Sequence, residues 1–162
     1  MSIVGDNKDR TVLAGRRFLV VDDHPYMIDV ICEILRHYSA AETLRAESAE
    51  AALARTGPRS VFDCMICDFN MKPVNGLQLL QMIRAGKCKD VAREQRFVLL
   101  TGHGEMDVVK TAKALDVSGY VVKPVAADTF VKTIMRALAS SVSLKPPTTY
   151  ESVPAHELAQ FQ

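Results

Sequence analysis

Four apolar runs constrain this chain more than any other feature, because each ends in a chemically distinct polar residue. Phe18-Leu19-Val20-Val21 runs into Asp22-Asp23, Cys64-Met65-Ile66-Cys67 into Asp68, Phe97-Val98-Leu99-Leu100 into Thr101, and Tyr120-Val121-Val122 into Lys123-Pro124. Short continuous apolar runs are the pattern of strands buried on both faces. Between them lie segments of helical period: Met27, Ile28, Ile31, Ile34 and Leu35, then Leu77, Leu79, Leu80 and Ile83, then Phe130, Ile134 and Leu138. Strand and helix therefore alternate, which requires parallel strands, right-handed crossovers and helices on both sheet faces. Parallel strands end along one edge. An acid pair, a further acid, a hydroxyl and an ammonium are thereby brought together.

The spacing predicts strands over 16–22, 41–46, 61–67, 96–100 and 117–122, with helices over 24–37, 48–55, 77–84, 105–115 and 126–140. Pro25 suits a first helical turn, Ser48 an N-cap, and Gly57-Pro58 a stop. The expected fold is a flavodoxin-like, doubly wound α/β domain with a five-stranded parallel sheet of order 2-1-3-4-5. Such sheets bind ligands beyond the carboxyl ends of their strands, at the switch point between strands 1 and 3. Asp22, Asp23 and Asp68 fall there. Residues 1–15 read as an N-terminal extension and 16–140 as the domain. Residues 141–162, with Pro146, Pro147 and Pro154 among Ser and Thr, read as a flexible tail with a helical turn over 156–161.

Composition narrows the function. Twenty basic and 19 acidic side chains leave a net charge of +1, so no strong field points to nucleic acid. No apolar run approaches a transmembrane span and residues 2–10 lack an apolar core, so no membrane insertion and a cytoplasmic location are expected. Cys64 and Cys67 form a Cys-x-x-Cys, which invites a redox or zinc assignment. Strand alternation sends positions three apart to opposite faces, however. Together with Cys32 and Cys88 they read as small buried hydrophobes of a reducing compartment.

A carboxylate can attack phosphorus and hold a phosphoryl group as an acyl phosphate. Crowded carboxylates repel one another and call for a divalent cation, and Mg²⁺ suits a site with few protein oxygens. Asp68 is assigned as the acceptor, Asp23 as a direct metal ligand and Asp22 as one acting through water. The Asn70 backbone carbonyl, two residues past the acceptor, is placed to reach the metal. Lys123 would pair with phosphoryl oxygens and Thr101 would hydrogen-bond one of them. Any one strand-end acid is most often a helix cap or turn former. The ordered set of acid pair, acid, hydroxyl and lysine is what reverses that reading.

The segments Phe18-Leu19-Val20-Val21-Asp22-Asp23, Asp68-Phe69-Asn70-Met71, Leu100-Thr101-Gly102 and Ser118-Gly119-Tyr120-Val121-Val122-Lys123-Pro124 together resemble the receiver domain of two-component response regulators. The resemblance covers about residues 16–140. It implies Mg²⁺-dependent phosphotransfer to Asp68 from a sensor histidine kinase or a histidine phosphotransfer protein, and a cis peptide at Lys123-Pro124. It also implies a switch in which Thr101 moves toward the phosphate, Tyr120 follows, and the face of helix 4, strand 5 and helix 5 changes for a downstream protein target. Two departures stand out. Met71 is followed by Lys72 and only then Pro73, with Gly76 at the usual spacing, and His103 lies two residues past Thr101. Asn70, Lys72 and His103 are thus candidate modulators of phosphate lifetime.

The segment after Ser140 is short and not basic, which favours a single-domain regulator acting on a protein and not on DNA. A homodimer is compatible with the resemblance. Turnover chemistry of the haloacid-dehalogenase type would want a second Asp two residues past the nucleophile, where Asn70 stands, so no turnover enzyme is expected. The alternatives are a phosphate-independent docking receiver and a receiver fragment of a hybrid kinase.

Overall fold

The computed structural model describes residues 9–102 and 106–156. Its elements in chain order are β1 (Arg17–Val21), α1 (Pro25–His37), β2 (Glu42–Ala46), α2 (Ala49–Arg55), β3 (Cys64–Asp68), α3 (Gly76–Arg84), β4 (Phe97–Thr101), α4 (Met106–Ala114), β5 (Gly119–Val122), α5 (Ala127–Ala139) and α6 (Pro147–Glu151). The strands form one parallel sheet of order β2-β1-β3-β4-β5, as expected from the alternation.

The period of two divides the sheet between two cores. Phe18, Val20, Cys64, Ile66, Val98, Leu100 and Val121 pack with Ile28, Ile31, Leu35, Phe130 and Ile134 of α1 and α5. Leu19, Val21, Met65, Cys67, Phe97 and Leu99 pack instead with residues of α2, α3 and α4, among them Ala52, Leu80 and Val108. Cys64 and Cys67 therefore sit in different cores. All four cysteines are buried and free, and burial pushes the Cys64 thiol up to about 12. A thiol so held is neutral and inert at physiological pH.

Local signals set the helix starts. The Ser48 hydroxyl accepts from the Ala51 amide, and Asn75 with Gln78 forms a reciprocal capping box at α3. β3 is shorter at its start than the apolar run suggests. Val61 is 67% exposed, and at Asp63 the amide donates to the Arg17 carbonyl while the carboxylate accepts the Arg17 amide, each at 2.8 Å. Residues 9–15 of the expected extension pack onto the domain: Leu13 is fully buried, and Ala14 bridges Ala40 in antiparallel fashion.

The tail differs most from the expectation of mobility. Residues 141–156 lie against the domain along α3, with Tyr150 fully buried. Its hydroxyl donates to Asp116 at 2.7 Å and accepts the Lys145 amide, while Gln81 Nε2 donates to the Tyr150 and Val153 carbonyls. Further along, Asn75 Nδ2 donates to the Ala155 carbonyl at 3.3 Å. Proline-rich composition suggested an unpacked chain, but one large aromatic with a satisfied polar end suffices to dock it. Of the helical turn expected over 156–161, all but His156 lies outside the described residues.

Beneath the tail, Arg84 is buried without a carboxylate. Its guanidinium donates to the carbonyls of Arg93, Gln95, Leu115 and Asp116 at 2.5–3.2 Å. Desolvation lowers its pKa to about 10, which leaves it charged at neutral pH. One side chain thereby ties the α3–β4 connection to the α4–β5 connection.

Tyr150→Ala should cost about 3–5 kcal/mol, as expected for emptying a large aromatic site. Tyr150→Phe should cost about 1–2 kcal/mol, for one lost hydrogen bond to a carboxylate. Urea denaturation at neutral pH separates the two, and equal, negligible losses would show that the tail is not docked.

Candidate functional site

The sheet register creates the site. Val21 pairs with Cys67 in adjacent parallel strands, so the next residues, Asp22 and Asp68, emerge side by side at the carboxyl edge. Both are 1% exposed. The Asp22 Oδ1 accepts the His24 amide at 2.9 Å, and the Asp68 Oδ1 lies 2.5 Å from Lys123 Nζ. Their other oxygens, Asp22 Oδ2 and Asp68 Oδ2, are buried with no hydrogen-bond partner, the two side-chain atoms in that condition among the described residues.

Unpartnered buried carboxylate oxygens are costly, and the Asp68 carboxyl registers the cost. Desolvation pushes its pKa up to about 6, the Asp22 and Asp23 charges add to the rise, and the Lys123 ammonium opposes it. A hard cation with oxygen ligands would offset both the desolvation and the repulsion among the three carboxylates. The donor set therefore fits a divalent ion of the Mg²⁺ type.

Asp23 is half-exposed, at the mouth of the site, with its Oδ1 2.8 Å from His24 Nδ1. Thr101 is buried at the end of β4, and its carbonyl accepts the Lys123 amide at 2.8 Å. That bond seats the lysine beside the β4 terminus. After Asp68 the chain turns tightly: the Phe69 carbonyl accepts the amides of Met71 and Gly76, Phe69 and Met71 are buried, and Asn70 is exposed between them. Gly76 is required by this closure, because a Cβ there would collide with the Asp68 backbone carbonyl. Lys72 is exposed on the same loop.

The structure thus brings Asp22, Asp23, Asp68, Thr101 and Lys123 to one edge, with Asn70 and Lys72 on the adjoining loop. Tyr120 lies on β5, 37% exposed, away from the acid cluster in the register Leu99↔Tyr120. His103 lies outside the described residues. Both Lys72-Pro73 and Lys123-Pro124 are cis, of which only the second was expected. His24, expected only as the start of the first helix, also lies against the acid pair. Its position directly after an acid pair was the signal, since a strand-to-helix turn folds adjacent side chains back onto the same edge.

A doubly wound parallel sheet with carboxylates and one lysine at its switch point defines an α/β protein with an acidic strand-edge site. A family model of the response regulator receiver domain matches residues 18–135. The chemotaxis protein CheY of Pseudomonas aeruginosa is 29% identical over 118 residues, covering 73% of this chain and 92% of that protein. CheY1 of Helicobacter pylori is 31% identical over 67% of this chain and 85% of its own length. Among solved structures, a receiver domain protein from Clostridium thermocellum superposes with a TM-score of 0.67 at 27% identity, over 76% of this chain and 94% of that one. The chain belongs to the response regulator receiver domain family, the signalling components of two-component systems.

The raised Asp68 pKa predicts a pH dependence. The folded state holds the Asp68 proton up to about pH 6 and the unfolded state releases it near 4, so stability falls as pH rises through that window. A shift of that size corresponds to about 2–3 kcal/mol lost by pH 7.5 in metal-free buffer. Thermal unfolding of native protein and Asp68→Asn at pH 5 and 7.5 should show this loss in the native chain alone. An identical pH response in both would refute the assignment of the strain to Asp68.

Proposed function

We propose that this chain is a phospho-accepting response regulator in which Asp68 takes a phosphoryl group from a phosphohistidine. The observation that carries the reading is the pair of buried, unpartnered oxygens on Asp22 and Asp68 with Lys123 against the other oxygen of Asp68. In the transfer, an Asp68 carboxylate oxygen bonds to phosphorus while the N–P bond of the donor breaks. The imidazole of the donor leaves with the electron pair and takes up a proton. Lys123 stabilises charge on the transferred oxygens and Thr101 donates a hydrogen bond to one of them. Asp22, Asp23, Asp68 and the Asn70 carbonyl would hold Mg²⁺, which when bound supplies positive charge to the carboxylates and the phosphoryl group.

The resulting acyl phosphate is an added dianion at the β4–β5 edge. Movement of Thr101 toward it, followed by Tyr120, would remodel the face of α4, β5 and α5. That face carries the half-exposed apolar side chains Tyr120 and Val122 and the exposed Met106 at the start of α4, suited to a protein surface. Shifting such a two-state equilibrium from mostly inactive to mostly active takes on the order of 5 kcal/mol, within reach of a few charge-assisted hydrogen bonds. The partners are a histidine kinase or phosphotransfer protein upstream and a protein target downstream, with no nucleic acid. No helix among the described residues is long and apolar enough to cross a membrane, in keeping with a cytoplasmic location. Removal of the phosphoryl group by water, assisted by the site itself, would reset the signal, with Asn70, Lys72 and His103 tuning its rate.

Incubation with Mg²⁺ and acetyl phosphate should add one phosphoryl mass to the native chain and none to Asp68→Asn. Failure of the native chain to gain mass, with beryllofluoride also leaving its spectrum unchanged, would favour a phosphate-independent docking module. Thr101→Ala should still accept phosphate but lose the phosphate-dependent NMR shifts of Tyr120. Retention of those shifts would remove Thr101 from the switch.

A further inference from the structure

His24 occupies the N-cap position of α1, yet it does not cap. Its backbone is extended, at φ −104° and ψ 104°, and its side chain makes no bond to the first turn, whereas Ser48 and Asn75 do so at their helices. The imidazole is turned toward the acid pair instead, with Nδ1 2.8 Å from Asp23 Oδ1 and 3.3 Å from Asp22 Oδ1. An octahedral ion with bonds of about 2.1 Å spaces its adjacent ligands about 3.0 Å apart. The two measured separations straddle that edge length. One ligand atom from each of Asp22, Asp23 and His24 can be chosen so that all lie within 4.8 Å of one another.

Two further observations make this more than an acidic cluster beside a histidine. Asp22, one of these three residues, is almost fully buried and its Oδ2 has no partner, which is the state of an oxygen awaiting a cation. The histidine is also held in place: its amide is bonded to Asp22 Oδ1 and Pro25 fixes the next residue, while 67% of its side chain remains open to solvent and to an arriving ion.

We propose that His24 is a metal ligand of this site, its Nδ1 joining the Asp22 and Asp23 carboxylates around a divalent transition ion such as Mn²⁺, Co²⁺ or Ni²⁺. The inference rests on the reading of the site as a metal-dependent phosphoacceptor and adds to it a nitrogen donor. Mg²⁺ takes oxygen ligands and gains little from an imidazole, so with Mg²⁺ the ring stays hydrogen-bonded to Asp23. Transition ions do gain, in the order Mn²⁺, Co²⁺, Ni²⁺. The site thereby weighs transition metals against Mg²⁺ more heavily than an all-oxygen site would. Loading with one ion or the other becomes a second input to the same acceptor.

The test is electron spin-echo spectroscopy of Mn²⁺ bound to the full chain, without any phosphodonor. The native protein should show nitrogen modulation that shifts on ¹⁵N-histidine labelling. His24→Gln should still bind Mn²⁺ but lose that modulation. Calorimetry should show Ni²⁺ affinity falling on the order of tenfold or more in His24→Gln, with Mg²⁺ affinity little changed. His24→Ala, checked for a native thermal transition, guards against an effect peculiar to glutamine. Bound Mn²⁺ with no nitrogen modulation in the native chain would overturn the His24 assignment and leave the phosphoacceptor reading standing. Modulation that survives in His24→Gln would overturn it equally, by placing the nitrogen elsewhere. Absence of any Mn²⁺ or Mg²⁺ binding would overturn both.

Discussion

Everything distinctive about this molecule depends on two carboxylates held out of water at the end of a parallel sheet with too little positive charge beside them. Asp22 and Asp68 are almost fully buried, and Lys123 reaches only one oxygen of one of them. Burial of unbalanced charge is among the most unfavourable arrangements a small domain can carry. It survives because the surrounding sheet is over-determined: β1, β3 and β4 are almost entirely buried and sandwiched between two independent hydrophobic cores. Stability is thus generated in the sheet and spent at its edge. The resulting field gives a cation something to neutralise, and the edge is suited to responding to one.

The same register logic explains why so much of the arrangement was legible in the sequence. Continuous apolar runs at β1, β3 and β4 dictated burial on both faces, and parallel order followed from the intervening helical periods. Once the strands were parallel, residues directly following them had to share an edge. Asp22, Asp68, Thr101 and Lys123 could be brought together with no knowledge of a single side-chain contact. Strand β3 shows the limit of the same signal. Val61 and Phe62 extend the apolar run ahead of β3, but the Asp63 carboxylate takes the Arg17 amide in place of a backbone carbonyl and Val61 is left exposed. Hydrophobicity alone does not report a competing hydrogen bond.

What escaped the sequence were interactions whose partners lie far apart or whose residue type is ambiguous. Tyr150 is one aromatic among prolines and threonines, and its burial depends on Asp116 and Gln81, 34 and 69 residues away. Arg84 reads as an ordinary basic residue in the last turn of a helix. Only the tertiary structure reveals four carbonyls converging on it. His24 failed for the opposite reason. It was in plain view beside the acid pair, but a histidine before Pro25 at a helix start has a sufficient local explanation, and the absence of a side-chain cap bond is visible only in three dimensions.

The tail and Arg84 also bear on how a change at the acidic edge would spread. Asp116, just past α4, accepts from Tyr150 and pairs with Lys145, and its backbone carbonyl accepts from Arg84. At the other end of the tail, Asn75 closes the loop after Asp68 with its capping box and also donates to Ala155. One segment therefore spans from the loop that follows Asp68 to the connection that follows α4. The C-terminal end of α4 is pinned by part-buried, charge-assisted bonds, while at its N-terminal end Met106 is 82% exposed. A displacement of α4 costs least as a pivot about its C-terminal end, where the bonds to Asp116 need not break. Such a pivot moves the end of the helix that follows Thr101, the strand terminus beside the acids. Under the proposed switch, this arrangement would confine motion to the part of the face closest to the site and hold the rest in register.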